Sequence, residues 1–237
     1  MDVYWLEQNT GDVPEGDDWL SRSECTRLEK LFIPKRRADW RLGRWTAKCA
    51  LATYWGTPRD SAALAAMELR PEPSGAPEVF RDGRPMKLPL SLSHSSATGL
   101  CAIAPEAFRL GCDLEIVAPR SQAFLADFFT DGEQKLVALA PDACSGLLVT
   151  LLWSVKESAL KALGCGLRAD TRSVIAVLEG LPAILREHQG RLCATHTNGG
   201  TLRGCWWESG GLVRTIVAEP EPRRIVALEP GEIDPAV

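Results

Sequence analysis

Residues 109–116 read Arg-Leu-Gly-Cys-Asp-Leu-Glu-Ile, and this stretch predicts a β-strand near the middle of the chain. Side chains alternate between the two faces of a strand, so Asp113 and Glu115 share one face while Cys112 and Leu114 share the other. Two carboxylates about 7 Å apart on one face repel each other unless a cation lies beside them. Oxygen ligands of this kind suit Mg²⁺, which binds one or two carboxylates together with substrate phosphates. A strand with a solvated acidic face is the alternative interpretation.

Helices and strands follow in a similar order before and after this strand. The first half is predicted to contain a strand at 3–6, helices at 18–32, 38–55 and 60–69, a loop at 70–89, and strands at 90–94 and 99–104. The second half is predicted to contain helices at 122–129, 132–140 and 147–163, and strands near 174–178, 191–195, 202–207 and 212–218. Pro34 is expected to end the first helix, and Thr130 with Glu133 has the spacing of a capping box. The order predicts two related α+β subdomains, 1–107 and 108–220, followed by a tail at 221–237.

The composition argues against several classes of protein. A chain of 237 residues with 45% hydrophobic and 24% charged residues is typical of a globular protein. A net charge of −4 argues against general nucleic-acid binding, and no apolar run approaches the roughly 18 residues of a membrane span. The amino-terminal residues lack the basic start and cleavage site of a signal peptide. We therefore expect a cytoplasmic protein that binds neither nucleic acid nor membrane.

The cysteine pattern indicates reduced thiols. The chain has eight cysteines, with no Cys-x-x-Cys pair and no Cys/His cluster at the spacing of a zinc site. Cys101 and Cys112 lie inside apolar runs, where a reduced cysteine behaves as a small hydrophobic residue. We predict buried thiols without a disulfide framework.

Residues 153–161 read Trp-Ser-Val-Lys-Glu-Ser-Ala-Leu-Lys and fall within a predicted helix. At 100° per residue, its buried face is predicted to consist of Leu148, Leu152, Val155, Ala159 and Ala162. Glu157 lies on the other side, flanked by Trp153 and Leu160, with Lys161 one turn later. A Glu–Lys surface pair explains the two charges, but it does not explain the apolar neighbours. A third carboxylate for a metal, with an adjacent lysine for a phosphate, explains both.

A strand that ends in Leu92-Ser93-His94-Ser95 offers donors for a phosphate. Serine hydroxyls and a histidine at the end of a strand can donate hydrogen bonds to phosphate oxygens. A serine hydrolase is another possibility, but the serine does not lie in a Gly-x-Ser-x-Gly elbow. A purely structural histidine in a turn also remains open.

The second predicted helix carries a stripe of basic residues. The members of this stripe are Arg37, Arg41, Arg44 and Lys48, which fall close together around the helix axis. Most stripes of this kind are solvated faces. The functional alternative is a site for a multiply phosphorylated ligand, because an arginine binds phosphate with two donors at once.

Together these segments resemble the surfactin-synthetase-activating type of 4′-phosphopantetheinyl transferase. Three motifs carry the resemblance, in the order and at the separations of that family. They are Ser93-His94-Ser95, the Gly-x-Asp-x-Glu strand from Gly111 to Glu115, and the Trp-x-x-Lys-Glu-x-x-x-Lys helix from Trp153 to Lys161. Leu42-Gly43-Arg44 and Gly83-Arg84-Pro85 also match family features, and the coverage runs from about residue 30 to residue 180.

The resemblance implies a fold, a ligand and a set of site residues. The fold is a pseudo-twofold monomer of two similar α+β subdomains, with coenzyme A in the active-site cleft between them. Mg²⁺ is held by Asp113, Glu115 and Glu157 together with the pyrophosphate of coenzyme A. His94 and Lys161 contact the phosphates, assisted by Ser93. Residues that approach the adenosine end, including its 3′-phosphate, are Arg37, Arg44 and Arg84.

The implied reaction transfers the phosphopantetheine arm of coenzyme A to a serine of an apo acyl or peptidyl carrier protein. The serine hydroxyl attacks the phosphorus that bears pantetheine, and 3′,5′-ADP leaves. We predict Glu157 as the group that takes the serine proton, with Lys161 and His94 as the other catalytic residues. Two rival functions stay open: a non-catalytic relative that binds coenzyme A or a carrier domain, and a Mg²⁺-dependent phosphohydrolase. The sequence does not identify the carrier.

Overall fold

The computed structural model describes residues 1–181 and 187–229 and divides the chain into two compact units. Of the described residues, the first unit contains Met1–Glu106 and Arg224–Glu229, and the second contains those between Ala107 and Arg223. Each unit combines helices with strands, which confirms the mixed helix and sheet composition expected from the sequence.

The first unit has two sheets. Its helices are α1 (Arg22–Leu28), α2 (Pro34–Trp55) and α3 (Ser61–Ala65). Its strands are β1 (Val3–Asn9), β2 (Met67–Pro71), β3 (Pro77–Arg81), β4 (Arg84–Met86), β5 (Leu90–Ser95), β6 (Thr98–Ile103) and β12 (Ile225–Ala227). One sheet has the order β12-β1-β6-β5 and the other has the order β2-β3-β4. The long helix α2 packs against β1 and β6, and its buried residues form the centre of this unit's core.

The first two helices begin at residues other than those predicted. Ser21 caps α1 and forms a capping box with Glu24, so this helix is shorter than the predicted 18–32. Pro34 is the first residue of α2 and does not end the helix before it. Proline is well suited to the first helical position, because the amide that it lacks has no partner there. Gly56 ends α2 in the left-handed region with a φ of 62°.

The prediction of a loop over the whole of 70–89 is wrong, because half of these residues lie in the strands of the sheet β2-β3-β4. The proline residues at 71, 77 and 85 hid these strands from the sequence pattern, since proline removes a ladder hydrogen bond. The predicted turn at Asp82-Gly83 is confirmed: the two residues join β3 to β4 with φ values of 51° and 75°. Paired positive φ values are typical of a two-residue hairpin turn.

The second unit packs helices against one five-stranded sheet. Its strands are β7 (Arg109–Ile116), β8 (Val174–Leu178), β9 (Gln189–His196), β10 (Thr201–Ser209) and β11 (Leu212–Glu219). Its helices are α4 (Gln122–Phe128), α5 (Asp131–Leu139) and α6 (Asp142–Ala162). The sheet has the order β7-β11-β10-β9-β8, with every neighbouring pair antiparallel. Strand β7 has the predicted bounds, and the capping box of Thr130 and Glu133 at the start of α5 is confirmed.

Helix α6 is buried on almost all sides. The predicted apolar face is correct as far as Ala159, but Trp153, Lys156 and Leu160 are buried as well. Within residues 151–160, Glu157 is the one side chain that is half-buried. By length and composition α6 could cross a membrane, contrary to the expectation from the sequence, and 72% of the 18-residue window that meets this test is buried inside the protein. Such burial is what a core helix shows.

The end of the described chain returns to the first unit. Strand β12 lies in the stretch predicted as a tail, and it pairs in parallel with β1 through the register Val3↔Ile225. The edge of β1 supplies the partner for these three residues, which no local sequence pattern reveals. Residues 230–237, the rest of the predicted tail, lie outside the described residues.

All eight cysteines are free. Cys49, Cys101 and Cys112 are buried, as predicted for cysteines in apolar segments, whereas the other five are only half-buried.

Candidate active site

The glycine before the acidic strand lets α6 approach the sheet closely. A Cβ atom added to Gly111 would lie 1.8 Å from the carbonyl oxygen of Ser158 on α6. Any side chain at this position would therefore collide with helix backbone. The close approach holds α6 over the face of β7 that carries Asp113 and Glu115.

Asp113 is buried and pairs with the last turn of α6. Lys161 Nζ lies 2.7 Å from Oδ1 of Asp113 and also donates a hydrogen bond to the carbonyl oxygen of Cys112, at 3.0 Å. Burial acts to lower the pKa of Lys161, but the charge of Asp113, the interaction with Cys112, the hydrogen bond to Asp113 and the charge of Glu157 together outweigh it, and the pKa is raised. The lysine side chain as a whole remains 28% exposed.

Glu115 is held by two side chains of the same unit. Trp153 Nε1 donates to Oε1 of Glu115 at 3.2 Å, and Arg120 Nη2 donates to Oε2 at 3.2 Å. The Arg120 guanidinium also lies over the ring of Phe124, 5.1 Å from its centroid. Burial, followed by the charge of Asp113, raises the pKa of Glu115. Sequence reasoning missed Arg120, although it is a cation only five positions beyond Glu115.

Glu157 is the most perturbed carboxyl group of the cluster. Burial raises its pKa to about 7, and the negative charge of Asp113 adds to the effect. Lys161 acts in the opposite direction but does not cancel the shift. Both carboxylates of β7 contribute to the raised pKa of Glu157, with Asp113 contributing more than Glu115.

Asp113, Glu115 and Glu157 offer carboxylate oxygens, the ligand type that an oxygen-preferring divalent cation takes. Three carboxylates share one neighbourhood, and the pKa of both Glu115 and Glu157 is raised partly by the charge of Asp113. Within residues 1–181 and 187–229, no three His, Cys, Asp or Glu side chains form a ready-made metal cage. Mg²⁺ does not require one, because it keeps several waters and takes one or two carboxylates together with substrate phosphates.

The remaining predicted site residues belong to the first unit. Ser93 and His94 lie near the end of β5, and the His94 side chain is exposed. Ser96 and Ala97 form the two-residue turn to β6, both with positive φ, so the predicted hairpin is confirmed. Arg84 is exposed at the start of β4.

The basic stripe on α2 is not a solvated face. Arg41 donates hydrogen bonds to Asp17 and to three backbone carbonyls, and the Lys48 side chain is fully buried. Arg44 lies 3.6 Å from the Glu24 carboxylate and over the ring of Trp40. Of the four stripe residues, Arg37 has the most exposed side chain, although it contacts Asp17 and the carbonyl oxygen of Leu28. The stripe therefore stabilises the first unit internally.

Most of the second unit matches a known protein family. The family model of the 4′-phosphopantetheinyl transferase superfamily matches residues 109–211, which include all three carboxylates and Lys161. The chain is 28% identical over 183 residues to the 4′-phosphopantetheinyl transferase HetI of Nostoc sp. (strain PCC 7120), covering 76% of this chain and 75% of that protein.

Two further proteins are similar over shorter stretches. A holo-[acyl-carrier-protein] synthase of Enterococcus faecalis is 31% identical over 87 residues, which cover 37% of this chain and 74% of the relative. A solved holo-(acyl-carrier-protein) synthase of Bacillus anthracis, in complex with CoA (3′,5′-ADP), covers 43% of this chain and 91% of its own, with 18% identity. Its TM-score of 0.37 is too low for an argument about the fold. The identity to the Enterococcus protein over most of its length, together with the family model, shows that the chain belongs to the 4′-phosphopantetheinyl transferase superfamily.

Proposed function

We propose that this chain transfers the 4′-phosphopantetheine arm of coenzyme A to a serine of an apo acyl or peptidyl carrier protein and releases 3′,5′-ADP. The observation that carries the proposal is the cluster in the second unit, where Lys161 pairs with Asp113 beside Glu115 and Glu157. The names of the relatives support it, because one is a 4′-phosphopantetheinyl transferase and another a holo-[acyl-carrier-protein] synthase.

The acidic residues of the cluster have two proposed roles, metal binding and proton acceptance. Asp113, Glu115 and Glu157 are the residues that would hold Mg²⁺, which would offset negative charge on the pyrophosphate of coenzyme A. Glu157 takes the proton of the attacking serine, directly or through a water. A carboxylate at this position can accept the proton as a general base.

Lys161 supplies positive charge at the bond that breaks. The serine oxygen forms a bond to the phosphorus that bears pantetheine, and the bond from that phosphorus to the 5′-phosphate oxygen of 3′,5′-ADP breaks. Lys161 stabilises the oxygens of the leaving group, and the partial exposure of its side chain leaves room for such a contact. The ion pair with Asp113 orients the ammonium before the substrate binds.

We propose that residues of the first unit also bind parts of coenzyme A. Ser93 and His94 donate hydrogen bonds to the phosphates, and the exposure of His94 leaves its ring nitrogens accessible. Arg37 and Arg84 bind the adenosine end with its 3′-phosphate. Arg44 is the least suited of the three arginines, because contact with a ligand would require it to leave the buried carboxylate of Glu24.

We also propose that the chain is of the surfactin-synthetase-activating type and acts as a cytoplasmic monomer. The family model covers residues 109–211, within the second unit, whereas the chain has a first unit of its own with a separate core. A chain that carries two α+β units has no need of a second copy to supply one. Size-exclusion chromatography with light scattering tests the monomer, and a dimer at assay concentration would contradict it.

The decisive experiment incubates the protein with coenzyme A, Mg²⁺ and a panel of apo-carriers from fatty acid, polyketide and nonribosomal peptide pathways. We expect one or more carriers to gain the mass of a single phosphopantetheine arm, as measured by intact-protein mass spectrometry. Binding of coenzyme A without any mass gain across the panel would favour a non-catalytic relative. Release of inorganic phosphate without a carrier would favour a phosphohydrolase.

A further inference from the structure

Lys156, the residue before Glu157, has a buried ammonium with three oxygen partners. Its side chain is 0% exposed, and Nζ lies 2.9 Å from Oε2 of Glu133 at the start of α5. It also donates hydrogen bonds to the carbonyl oxygens of Thr171, at 3.0 Å, and Val174, at 2.5 Å. One side chain of α6 therefore connects this helix to α5, to the turn before β8 and to β8 itself.

Glu133 is equally saturated with partners. Its Oε2 accepts hydrogen bonds from the amide and the hydroxyl of Thr130, both at 2.9 Å, and its Oε1 accepts one from the amide of Ala176 at 3.0 Å. A carboxylate fixed by the helix cap and by the neighbouring strand has little freedom to follow Lys156. The pair therefore resists rotation of α6 about its own axis.

The first unit contains a matching buried lysine–glutamate pair, but no acidic residue follows its lysine in the sequence. Lys48 of α2 is 0% exposed, lies 2.6 Å from Oε2 of Glu24, and donates to the carbonyl oxygens of Trp19 and Leu64, each at 3.0 Å. Glu24 occupies the same place in the capping box of α1 that Glu133 occupies in α5. Its Oε1 accepts from a strand amide, that of Leu69. The residue after Lys48 is Cys49, where the second unit has Glu157.

The position of Glu157 depends on the rotation of α6. The helix touches β7 through the Gly111–Ser158 contact, and Ser154 and Ser158 bond to Thr215 of β11. Lys156 adds polar contacts to α5, to the turn before β8 and to β8 itself. A helix that rotates about its axis turns all its side chains by the same angle, so a rotation at Lys156 also changes the position of Glu157 relative to Asp113.

We propose that Lys156, anchored by Glu133, is a positioning residue that sets Glu157 and Lys161 against the carboxylates of β7. This inference rests on the proposed function, since the residues that it positions are those assigned to the transfer reaction. Lys156 touches neither substrate nor metal in this scheme. Its contribution is the orientation of the helix that carries the reacting groups.

The test compares Lys156→Met with Lys48→Met, which removes the matching ammonium from the first unit. Both variants lose a buried ion pair of the same design, so both are expected to unfold at lower temperature. We expect Lys156→Met to lower kcat about 10- to 100-fold more than Lys48→Met, as is typical when the support of a site residue is removed. We also expect the Mn²⁺-induced rise in Tm to shrink in Lys156→Met and to persist in Lys48→Met. Glu133→Gln, which keeps its size and its acceptor for Ala176, replaces Lys156→Met if that variant does not fold.

The outcomes separate this inference from the proposed function. Equal losses of kcat and equal Mn²⁺-induced shifts in the two variants would overturn the positioning role, because a purely structural lysine predicts that result. If the wild-type protein modifies no carrier, the proposed function fails, and the Mn²⁺-induced shift alone decides the inference. A full shift in Lys156→Met would then overturn it.

Discussion

Lys161 Nζ lies 2.7 Å from Oδ1 of Asp113 and joins the last turn of α6 to β7 across 48 positions of sequence. The sequence pattern indicated only a local Glu157–Lys161 spacing of one helical turn. The longer connection brings a cation to the acidic strand, and it makes Asp113 the residue on which the geometry of the cluster depends.

Asp113→Asn should remove both the ion pair and one candidate metal ligand. We expect transfer activity to fall by about 100-fold or more, because charge stabilisation at the reacting phosphate is lost. The unfolding free energy should fall by about 2 kcal/mol, the scale of a hydrogen bond to a charged group. Carrier modification and urea denaturation measure the two effects. Asp127→Asn, at an exposed position on α4, is the control and should change neither; normal transfer by Asp113→Asn would refute the site.

Glu157→Gln tests the raised pKa of Glu157 through stability. In the folded protein this pKa is about 7, against an ordinary value of 4.5, so the folded state binds the proton more tightly than the unfolded state. The associated stability is present at low pH and is lost as the pH rises from about 4.5 through 7. With EDTA present, the wild type should therefore lose up to about 3 kcal/mol relative to Glu157→Gln across this window. Denaturation at a series of pH values measures the difference.

The same variant should also lose about 100-fold or more of its transfer activity, because the proposed base is gone. Glu15→Gln changes an exposed carboxylate and serves as the control for both measurements. A stability difference that stayed constant from pH 4.5 to pH 8 would show that Glu157 does not titrate as described.

Gly111→Ala should disrupt the second unit. The new methyl group would lie 1.8 Å from the backbone oxygen of Ser158, so either the helix or the strand must shift. We expect a loss of about 3 kcal/mol or more, or insoluble protein. Gly132→Ala is the matched control, because the nearest atom to its added carbon is 4.0 Å away, in ordinary contact. Thermal unfolding of both variants tests this, and a Gly111→Ala protein as stable as Gly132→Ala would rule out the close approach.

Trp153→Phe should weaken the support of Glu115 while keeping an aromatic ring. The change removes the 3.2 Å hydrogen bond from Nε1 to Oε1, which we expect to cost about 1 kcal/mol of stability. Glu115 would then be held by Arg120 without the indole, so we expect a higher Mg²⁺ concentration to be needed for half-maximal transfer. Titration of Mg²⁺ in the carrier assay measures this.

Trp45→Phe provides the control from the first unit. Trp45 stands three residues before Lys48, as Trp153 stands before Lys156, and its Nε1 is buried without a hydrogen-bond partner among the described residues. Its replacement should leave the Mg²⁺ dependence unchanged. A similar change in both variants would mean that loss of the indole, and not of the bond to Glu115, is responsible.

Local patterns in the sequence predicted much of the candidate site. The alternation in residues 109–116 predicted β7 with its observed bounds and placed Asp113 and Glu115 on one face. The capping box of Thr130 and Glu133 predicted the start of α5. These features depend on neighbours within four residues, and the rules of helix and strand geometry are sufficient to recognise them.

The rules of helix and strand geometry do not predict contacts between residues that are distant in sequence. The motif from Trp153 to Lys161 contains Lys156, but no local pattern predicts that its ammonium is buried against Glu133, 23 positions earlier in the sequence. Strand β12 exists because β1 offers a free edge, and β2, β3 and β4 pair despite their prolines.

The sequence by itself determined which residue types stand on the acidic strand and on the long helix, because side-chain direction follows from local backbone geometry. The tertiary structure decided which charges meet: Lys161 with Asp113, Arg120 with Glu115, and Lys156 with Glu133. Burial also decided the pKa of Glu157, since a carboxyl group feels the loss of water and the nearby charge of Asp113 only after the chain has folded.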